Sequence, residues 1–172
     1  MILPSLRTYA GWLALVRALT GVLWLAHAVP KFLKGPAFLP PEGRFATYLQ
    51  QGIATTAGPY HDFMMSVVQP NAALFAELVR LGELMVGVSL LFGLFSRIGA
   101  FFGVVLPLNY MAARGFVGTL GSPDASIALL SLINLVLPTG RVAGFDGLRA
   151  SRAARRPTVI AEVVPEHPLD GR

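Results

Sequence analysis

The chain alternates between long apolar segments and shorter polar connections. The apolar segments lack the strict alternation of a half-buried strand and are typical of helices; they lie at residues 11–29, 72–95, 98–113 and 125–137. None has about 18 consecutive apolar residues, but each can cross a bilayer when flanking polar side chains snorkel or face a bundle interior. The pattern predicts an all-α membrane protein, a four-helix transmembrane bundle with spans at about 9–31, 72–95, 98–115 and 123–140.

A long connection, residues 32–70, separates the first two predicted spans. Loops longer than about 15 residues usually carry structure or function of their own. Phe45, Tyr48 and Leu49 share the i, i+3, i+4 spacing of an amphipathic helix, and 63–68 repeats the pattern. We therefore expect an up-down-up-down bundle whose outer side is capped by short helices.

The two ends of the chain need separate interpretations. Residues 1–147 are predicted to form the transmembrane domain, and 148–172 a basic and then flexible cytoplasmic tail, because prolines interrupt any helical periodicity after Arg156. At the other end, the small residues around His27 imitate the cleavage site of a secretory signal. Arg17 interrupts the apolar core that such a signal needs, so a retained first helix is preferred.

Composition supports a membrane location. The chain is 54% hydrophobic and 13% charged, whereas soluble domains carry about 25% charged residues. With four crossings, most basic residues fall on one side, the side of both termini. Because basic residues concentrate on the cytoplasmic face, we expect a multi-pass protein of the cytoplasmic membrane with both termini inside. The expected partners are lipid and a second protein subunit or larger membrane complex, not nucleic acid.

The absence of cysteine restricts the chemistry. Thiol–disulfide exchange, sulfur-ligated iron clusters and covalently attached haem all need cysteine, and the chain has none. His27 is the only histidine within a predicted span, which disfavours a haem held by two histidines. We expect no haem, iron–sulfur cluster or metal, so redox chemistry would use a diffusible or partner-borne cofactor.

Charged residues inside the predicted spans are the candidates for a functional site. Glu77, Arg80 and Glu83 interrupt an apolar helix, and such charges must be paired within a membrane. On the first helix a polar stripe follows three- and four-residue steps; it comprises Arg17, Thr20, Trp24, His27 and Lys31. Glu83 is the natural candidate partner for Arg17, and Glu77 can pair with Arg80 at i, i+3. Lys31 belongs to the stripe only if the helix survives Pro30.

Two interpretations of this network remain open. It is either a structural ion pair that sets helix register, or a site that binds and protonates a polar head group such as a quinone. Asn109 and Tyr110 could add hydrogen bonds, although such residues are often interhelical contacts. Pro107 frees a carbonyl beside them and could open a small cavity with Trp24 as one wall.

The stretch from Pro59 to Gly103 resembles the DoxX/DoxD family of small four-helix membrane proteins. More narrowly, it is similar to the DoxD-type membrane subunit of thiosulfate:quinone oxidoreductase. The resemblance is carried by Pro70-Asn71, Phe75, Leu78-Val79, Gly82-Glu83, Val86-Gly87, Gly93-Leu94 and Arg97. The first helix, from Arg17 through Gly21 and His27 to Lys31, is consistent with it.

The resemblance implies a membrane subunit of a quinone-linked oxidoreductase, with a quinone as cofactor and a second subunit as partner. Glu83 and His27 are then the candidate catalytic residues, and the candidate cofactor-binding residues are Arg17, Trp24, Lys31, Arg80, Asn109 and Tyr110. The alternative is a non-catalytic anchor or assembly subunit of a larger membrane complex. A carrier for a small solute is a third hypothesis, although four helices are few for a transporter.

Overall fold

The computed structural model describes residues 9–137, 139 and 144–154, and every regular element in this part of the chain is helical. The predicted all-α class is confirmed. The long helices are α1 (Tyr9–Leu33), α4 (Ala72–Phe92), α5 (Ser96–Ala113) and α6 (Pro123–Val136). The shorter ones are α2 (Arg44–Thr55), α3 (Pro59–Phe63, continued by a π-helical turn at Met64–Val68) and α7 (Phe145–Ala154), with 3₁₀ turns at Gly35–Ala37 and Phe116–Thr119.

The four long helices form an antiparallel bundle. Helix α1 packs against α4 and α6, and α5 closes the ring by packing against the same two helices. Buried side chains from all four helices meet at the centre, namely Trp24, Val86, Leu90, Ala100 and Ile127. Among the described helices, α1 alone is long and apolar enough to cross a membrane by length and composition. Helix α4 carries three charged residues in its interior.

Glycines allow α1 and α4 to pack with their backbones in close approach. A Cβ atom added at Gly21 would lie 2.8 Å from Leu91 Cα and 2.9 Å from Gly87 O, and one added at Gly87 would lie 2.8 Å from Leu25 Cγ. Because small residues at a helix interface permit this approach, the glycine pair sets the register between the two helices. Position 21 lies opposite position 91, and position 25 lies opposite position 87.

Gly21→Ala is expected to lower the free energy of unfolding by about 1–3 kcal/mol, because the new methyl group must push the two backbones apart. The measurement is a denaturant titration in detergent micelles followed by far-ultraviolet circular dichroism. Gly121→Ala is the matched control, since a Cβ added at Gly121 meets nothing within 4 Å. An equal loss for both variants would contradict the assigned packing.

Pro30 does not end the first helix. Helix α1 continues through Pro30 to Leu33, and Lys34 N donates to Pro30 O at 3.0 Å. Lys31 therefore stays on the same helical face as the rest of the polar stripe. The sequence analysis included Lys31 in the stripe only if the helix continued past Pro30. Proline likewise lies inside α5, at Pro107, without ending the helix.

The connection between α1 and α4 folds into short helices, as its apolar spacing predicts. Leu49 of α2 and the π-helical residues Met64 and Val68 form a buried apolar cluster. Phe75 of α4 and Ala113 of α5 pack against this cluster. Residues 35–68 therefore cover one end of the bundle, where α1 and α5 end and α4 begins; we call this the cap end. The opposite end carries the α4–α5 turn.

Helix α7 changes the predicted division of the chain. Residues 148–154, which the sequence assigns to a basic tail, belong to this helix, so the predicted boundary at 147 falls inside it. Asp146 anchors α7 to the α4–α5 turn: its carboxylate accepts hydrogen bonds from Phe95 N at 2.9 Å and Ser96 N at 2.8 Å. These are donors at the start of α5 that have no partner within the helix. The rest of the predicted tail, 155–172, lies outside the described residues.

Candidate functional site

The centre of the site is the carboxylate of Glu83, which is 2% exposed in the middle of α4. Lys31 Nζ, from the last turn of α1, lies 2.5 Å from both carboxylate oxygens. Tyr110 OH, from α5, donates a hydrogen bond to Glu83 Oε1 at 2.9 Å. Three helices therefore each contribute one ionisable side chain. The carboxylate is compensated by a cation and a neutral donor, as a buried charge requires.

The Lys31 ammonium also lies against two aromatic rings. Its Nζ is 5.0 Å from the centroid of the Phe38 ring and 5.9 Å from that of Tyr110. Aromatic faces attract cations at such distances. Because Phe38 is itself buried, the ammonium is confined between ring faces and carboxylate, and its position is set by contacts to three side chains.

A cavity of about 380 Å³ opens above this cluster, between the cap and the bundle. Its volume falls in the range of small-molecule pockets, roughly 300–1,000 Å³. The walls are mostly aromatic and apolar, with contributions from Phe38, Phe45, Tyr48, Phe63 and Phe75. The few polar side chains include Lys31 and Glu83 at one wall. An apolar cavity with a few convergent polar groups is the usual form of a small-molecule site.

Six of the eight predicted site residues line this one cavity: Trp24, His27, Lys31, Glu83, Asn109 and Tyr110. Trp24 forms part of the wall while its Nε1 donates to Ser131 Oγ at 3.1 Å. His27 Nδ1 lies 2.9 Å from Leu23 O. Because a carbonyl oxygen only accepts, Nδ1 carries the hydrogen of that bond, and Nε2 is left for other hydrogen bonds.

Asn109 is tied to the cap. Its Oδ1 accepts a hydrogen bond from Tyr60 OH of α3 at 3.1 Å. Burial raises the pKa of the Tyr60 phenol above its ordinary value. The phenol therefore keeps its proton at neutral pH and remains the donor in this contact.

The predicted ion pair between Arg17 and Glu83 is wrong. In the α1–α4 register, Glu83 lies opposite position 29, so Arg17 is twelve residues, about 18 Å along the helix axis, from that level. Arg17 instead donates from Nε to Leu90 O at 3.0 Å and from Nη1 to Thr139 O at 2.9 Å. The carboxylate that acts on it electrostatically is Asp146 of α7.

Arg17 is therefore a structural residue at the α4–α5 turn end of the bundle. Carbonyls in the last turn of a helix have no partner within it, and a cation there also interacts favourably with the helix dipole. Arg17 occupies this position at the end of α4, and it does not line the cavity. Its assignment as a cofactor-binding residue is corrected accordingly.

Arg80 also lies outside the cavity lining. It pairs with Glu77 one turn earlier on α4, at 2.6 Å from Nε to Oε2 and 2.5 Å from Nη2 to Oε1, which confirms the predicted i, i+3 pair. Its guanidinium lies 4.7 Å from the Phe32 ring of α1. Arg80 thus joins α1 to α4 beside the site, and its predicted role in binding a cofactor is corrected too.

The sequence interpretation missed the aromatic side chains that the cap supplies. Phe38, Tyr60 and Phe63 line the cavity. The sequence predicted only that their segment covers the end of the bundle. The signal available was the concentration of aromatic residues between 38 and 75, although spacing alone does not show which face they present. An ion pair at the rim was also missed: Arg114 after α5 binds Asp124 in the first turn of α6.

Fold and site together define a class: an all-helical protein with a ligand-sized aromatic cavity at one end of an antiparallel bundle and a buried carboxylate–ammonium pair in its wall. The family model described as TQO small subunit DoxD matches residues 12–154. The chain belongs to the DoxD family, a family of membrane proteins, and the resemblance seen in the sequence is confirmed. No curated protein and no solved structure matches it.

Proposed function

We propose that the chain is the membrane subunit of a quinone-linked oxidoreductase of the thiosulfate:quinone type, and that the cavity holds the quinone head group. Membership of the DoxD family supports the general role. The observation that supports a quinone site in the cavity is the Glu83–Lys31–Tyr110 cluster in its aromatic wall. The electrons come from a partner subunit.

The proposal includes a membrane arrangement. Helices α1, α4, α5 and α6 cross the cytoplasmic membrane as a four-helix transmembrane bundle, with both termini in the cytoplasm. Their lipid-facing sides are apolar: large hydrophobic side chains exposed on these helices include Leu19, Met85, Phe101 and Leu129. The cap and the cavity then lie on the outer side, and the α4–α5 turn with α7 lies inside.

The residues present suit a quinone. A flat conjugated ring needs apolar and aromatic walls, and its carbonyl oxygens need hydrogen-bond donors. The cavity supplies ring faces from Phe38 and Phe45, and donors from the Lys31 ammonium and the Asn109 amide. When bound, the quinone supplies an acceptor for two electrons and two protons. The cavity wall accordingly needs groups that hold protons.

Two groups can hold such protons. Lys31 Nζ and the Glu83 oxygens are 2.5 Å apart, so a proton can pass between ammonium and carboxylate without displacement of either side chain. Tyr110 keeps one lone pair of Glu83 Oε1 engaged and so orients the carboxylate. His27 lines the same cavity, with its Nδ1 held by the Leu23 carbonyl.

Quinone binding is expected to quench the fluorescence of Trp24, which forms part of the cavity wall. The test is titration of the detergent-purified protein with a water-soluble benzoquinone. Trp12→Phe should retain the quench and Trp24→Phe should lose most of it, since the two indoles are twelve residues, about 18 Å, apart on α1. An equal residual quench in both variants would mean that the benzoquinone only collides with the protein and does not bind in the cavity. The alternative role, a non-catalytic anchor, predicts that outcome.

A further inference from the structure

Helix α7 is fixed against the α4–α5 turn and adds basic residues there. Asp146 N donates to Gly93 O at 2.9 Å, and the Asp146 carboxylate accepts hydrogen bonds from Phe95 N and Ser96 N. Residues 141–156 contain five arginines, whereas Asp146 is their only acidic residue. Because the Asp146 carboxylate is bonded to the backbone at the start of α5, the segment keeps an excess of positive charge.

Aromatic and basic side chains share the exposed surface at this place. The Phe95 ring is 53% exposed, and the Arg149 guanidinium lies over it, with Cζ 5.2 Å from the ring centroid. Phe92 at the end of α4 and Phe145 at the start of α7 are exposed to a similar extent. Arg97 and Arg149 are also exposed, and neither forms an ion pair within the described part of the chain. We call the area formed by these five residues the turn surface.

The turn surface adjoins the apolar outer face of α5. Ile98 and Phe101, one and two turns after Phe95, are exposed as well. In the proposed membrane arrangement this face contacts acyl chains, so the turn surface lies at the depth of the lipid headgroups on the inner side. Aromatic side chains concentrate at this depth, and Tyr9 and Trp12 in the first turn of α1 are exposed at the same end of the bundle.

Arginine and phenylalanine together suit a ligand that has a negatively charged head and an apolar body. A guanidinium binds phosphate through two parallel N–H donors, and its flat face stacks on aromatic rings. The Arg149 guanidinium is already held beside the Phe95 ring. A soluble anion would contact the arginines and leave the phenyl rings in water, whereas a phospholipid would cover both.

We propose that the turn surface binds an anionic phospholipid, with Arg97 and Arg149 contacting its phosphate and the phenyl rings contacting the first carbons of its acyl chains. The inference rests on the membrane arrangement of the proposed function and is independent of the quinone site. Each basic residue near a membrane surface strengthens the binding of anionic lipid by about fivefold. Two such residues are enough to distinguish an anionic headgroup from a zwitterionic one.

Removal of both charges tests the site. The full-length protein is delipidated in detergent and titrated with phosphatidylglycerol or with phosphatidylcholine of the same acyl chains, and bound lipid is measured by native mass spectrometry. The wild type is expected to bind phosphatidylglycerol more tightly by about fivefold or more. In Arg97→Gln/Arg149→Gln, the dissociation constant of phosphatidylglycerol should rise about 10-fold or more, and that of phosphatidylcholine by less than about threefold.

Lys34→Gln/Arg44→Gln is the matched control. It removes the same amount of charge from two exposed positions at the cap end of the protein. Binding of both lipids should therefore stay within about twofold of the wild type, because the attraction acts only near the charged surface. An equal loss in the two double variants would show that net charge alone attracts the lipid, and the turn surface would not be its site.

Phe95→Asn tests the apolar part of the turn surface. Phe95 has a left-handed backbone conformation, with φ of 50°, which asparagine adopts more readily than most residues, so the variant should fold. Loss of the ring should weaken phosphatidylglycerol and phosphatidylcholine by a similar factor, about threefold or more, because apolar contact with the acyl chains is lost. Unchanged binding of both lipids would contradict the proposed contact.

Two further outcomes decide between the possible ligands and arrangements. Glycerol 3-phosphate is the soluble fragment of the headgroup; if it competed as well as the whole lipid, the surface would bind soluble anions and the proposal would be wrong. Equal affinity of the wild type for the two lipids would overturn the site and leave the membrane arrangement intact. A protein that stays in solution without detergent and binds neither lipid would overturn the membrane arrangement as well.

Discussion

Glu83→Gln is expected to lower the rate of quinone reduction by about 100-fold or more, the usual contribution of a positioned acid or base. The amide preserves the shape of the side chain, but it cannot carry the proton that the proposed mechanism passes between the carboxylate and Lys31 Nζ, 2.5 Å away. The measurement is the thiosulfate-dependent reduction of a benzoquinone, followed by absorbance, with the chain assembled with its partner subunit in detergent.

Glu77→Gln is the matched control for this substitution. Glu77 lies on the same helix and is also paired, with Arg80, but it does not line the cavity. Its replacement is expected to leave the rate within about twofold, because substitutions away from the reacting groups rarely alter the transition state. If both variants lost activity equally, α4 would need its charges for folding or assembly, and the assignment of Glu83 would fail.

Lys31→Met is expected to lower the free energy of unfolding by about 3 kcal/mol. Removing one partner of a buried pair leaves the other charge uncompensated, which costs about 3–5 kcal/mol. The lower end applies because the Lys31 side chain is 23% exposed, so water partly screens the charge that is left. Denaturant titration in detergent micelles, followed by far-ultraviolet circular dichroism, measures the change.

Two further variants separate the ion pair from general effects of losing a lysine. Lys34→Met, three residues later and exposed, is expected to change the free energy of unfolding by no more than about 0.5 kcal/mol. The double variant Lys31→Met/Glu83→Gln should recover about 1 kcal/mol or more relative to Lys31→Met, because no uncompensated charge remains. Strict additivity of the two single changes would argue against direct coupling.

The helices themselves could be predicted from local patterns. Apolar runs without alternation give α1, α4, α5 and α6, and the i, i+3, i+4 spacing in 45–49 gives α2. These features depend on side chains within a few residues of one another. Helix α7 escaped prediction because its docking depends on Asp146 meeting backbone donors at Phe95 and Ser96, some fifty positions away in the chain.

The candidate site could also be predicted in part from local sequence patterns. A polar residue in an apolar helix must find a partner, which singled out Lys31, Glu83 and Tyr110 before any geometry was known. The pairing of Arg17 could not be inferred in this way. Arg17 donates to the carbonyls of Leu90 and Thr139, and that choice depends on how far one helix is shifted along the other.

The sequence by itself determined the helical class, the family resemblance and some of the buried polar residues, such as Arg17 and Glu83, because each follows from residue type and local spacing. Only the tertiary structure decided the pairs, the cavity and its aromatic wall. The contact of Gly21 with the Gly87–Leu91 segment sets the α1–α4 register, which places Lys31 within reach of Glu83. Register and cap position arise from contacts between residues far apart in the chain, and local periodicity carries no information about them.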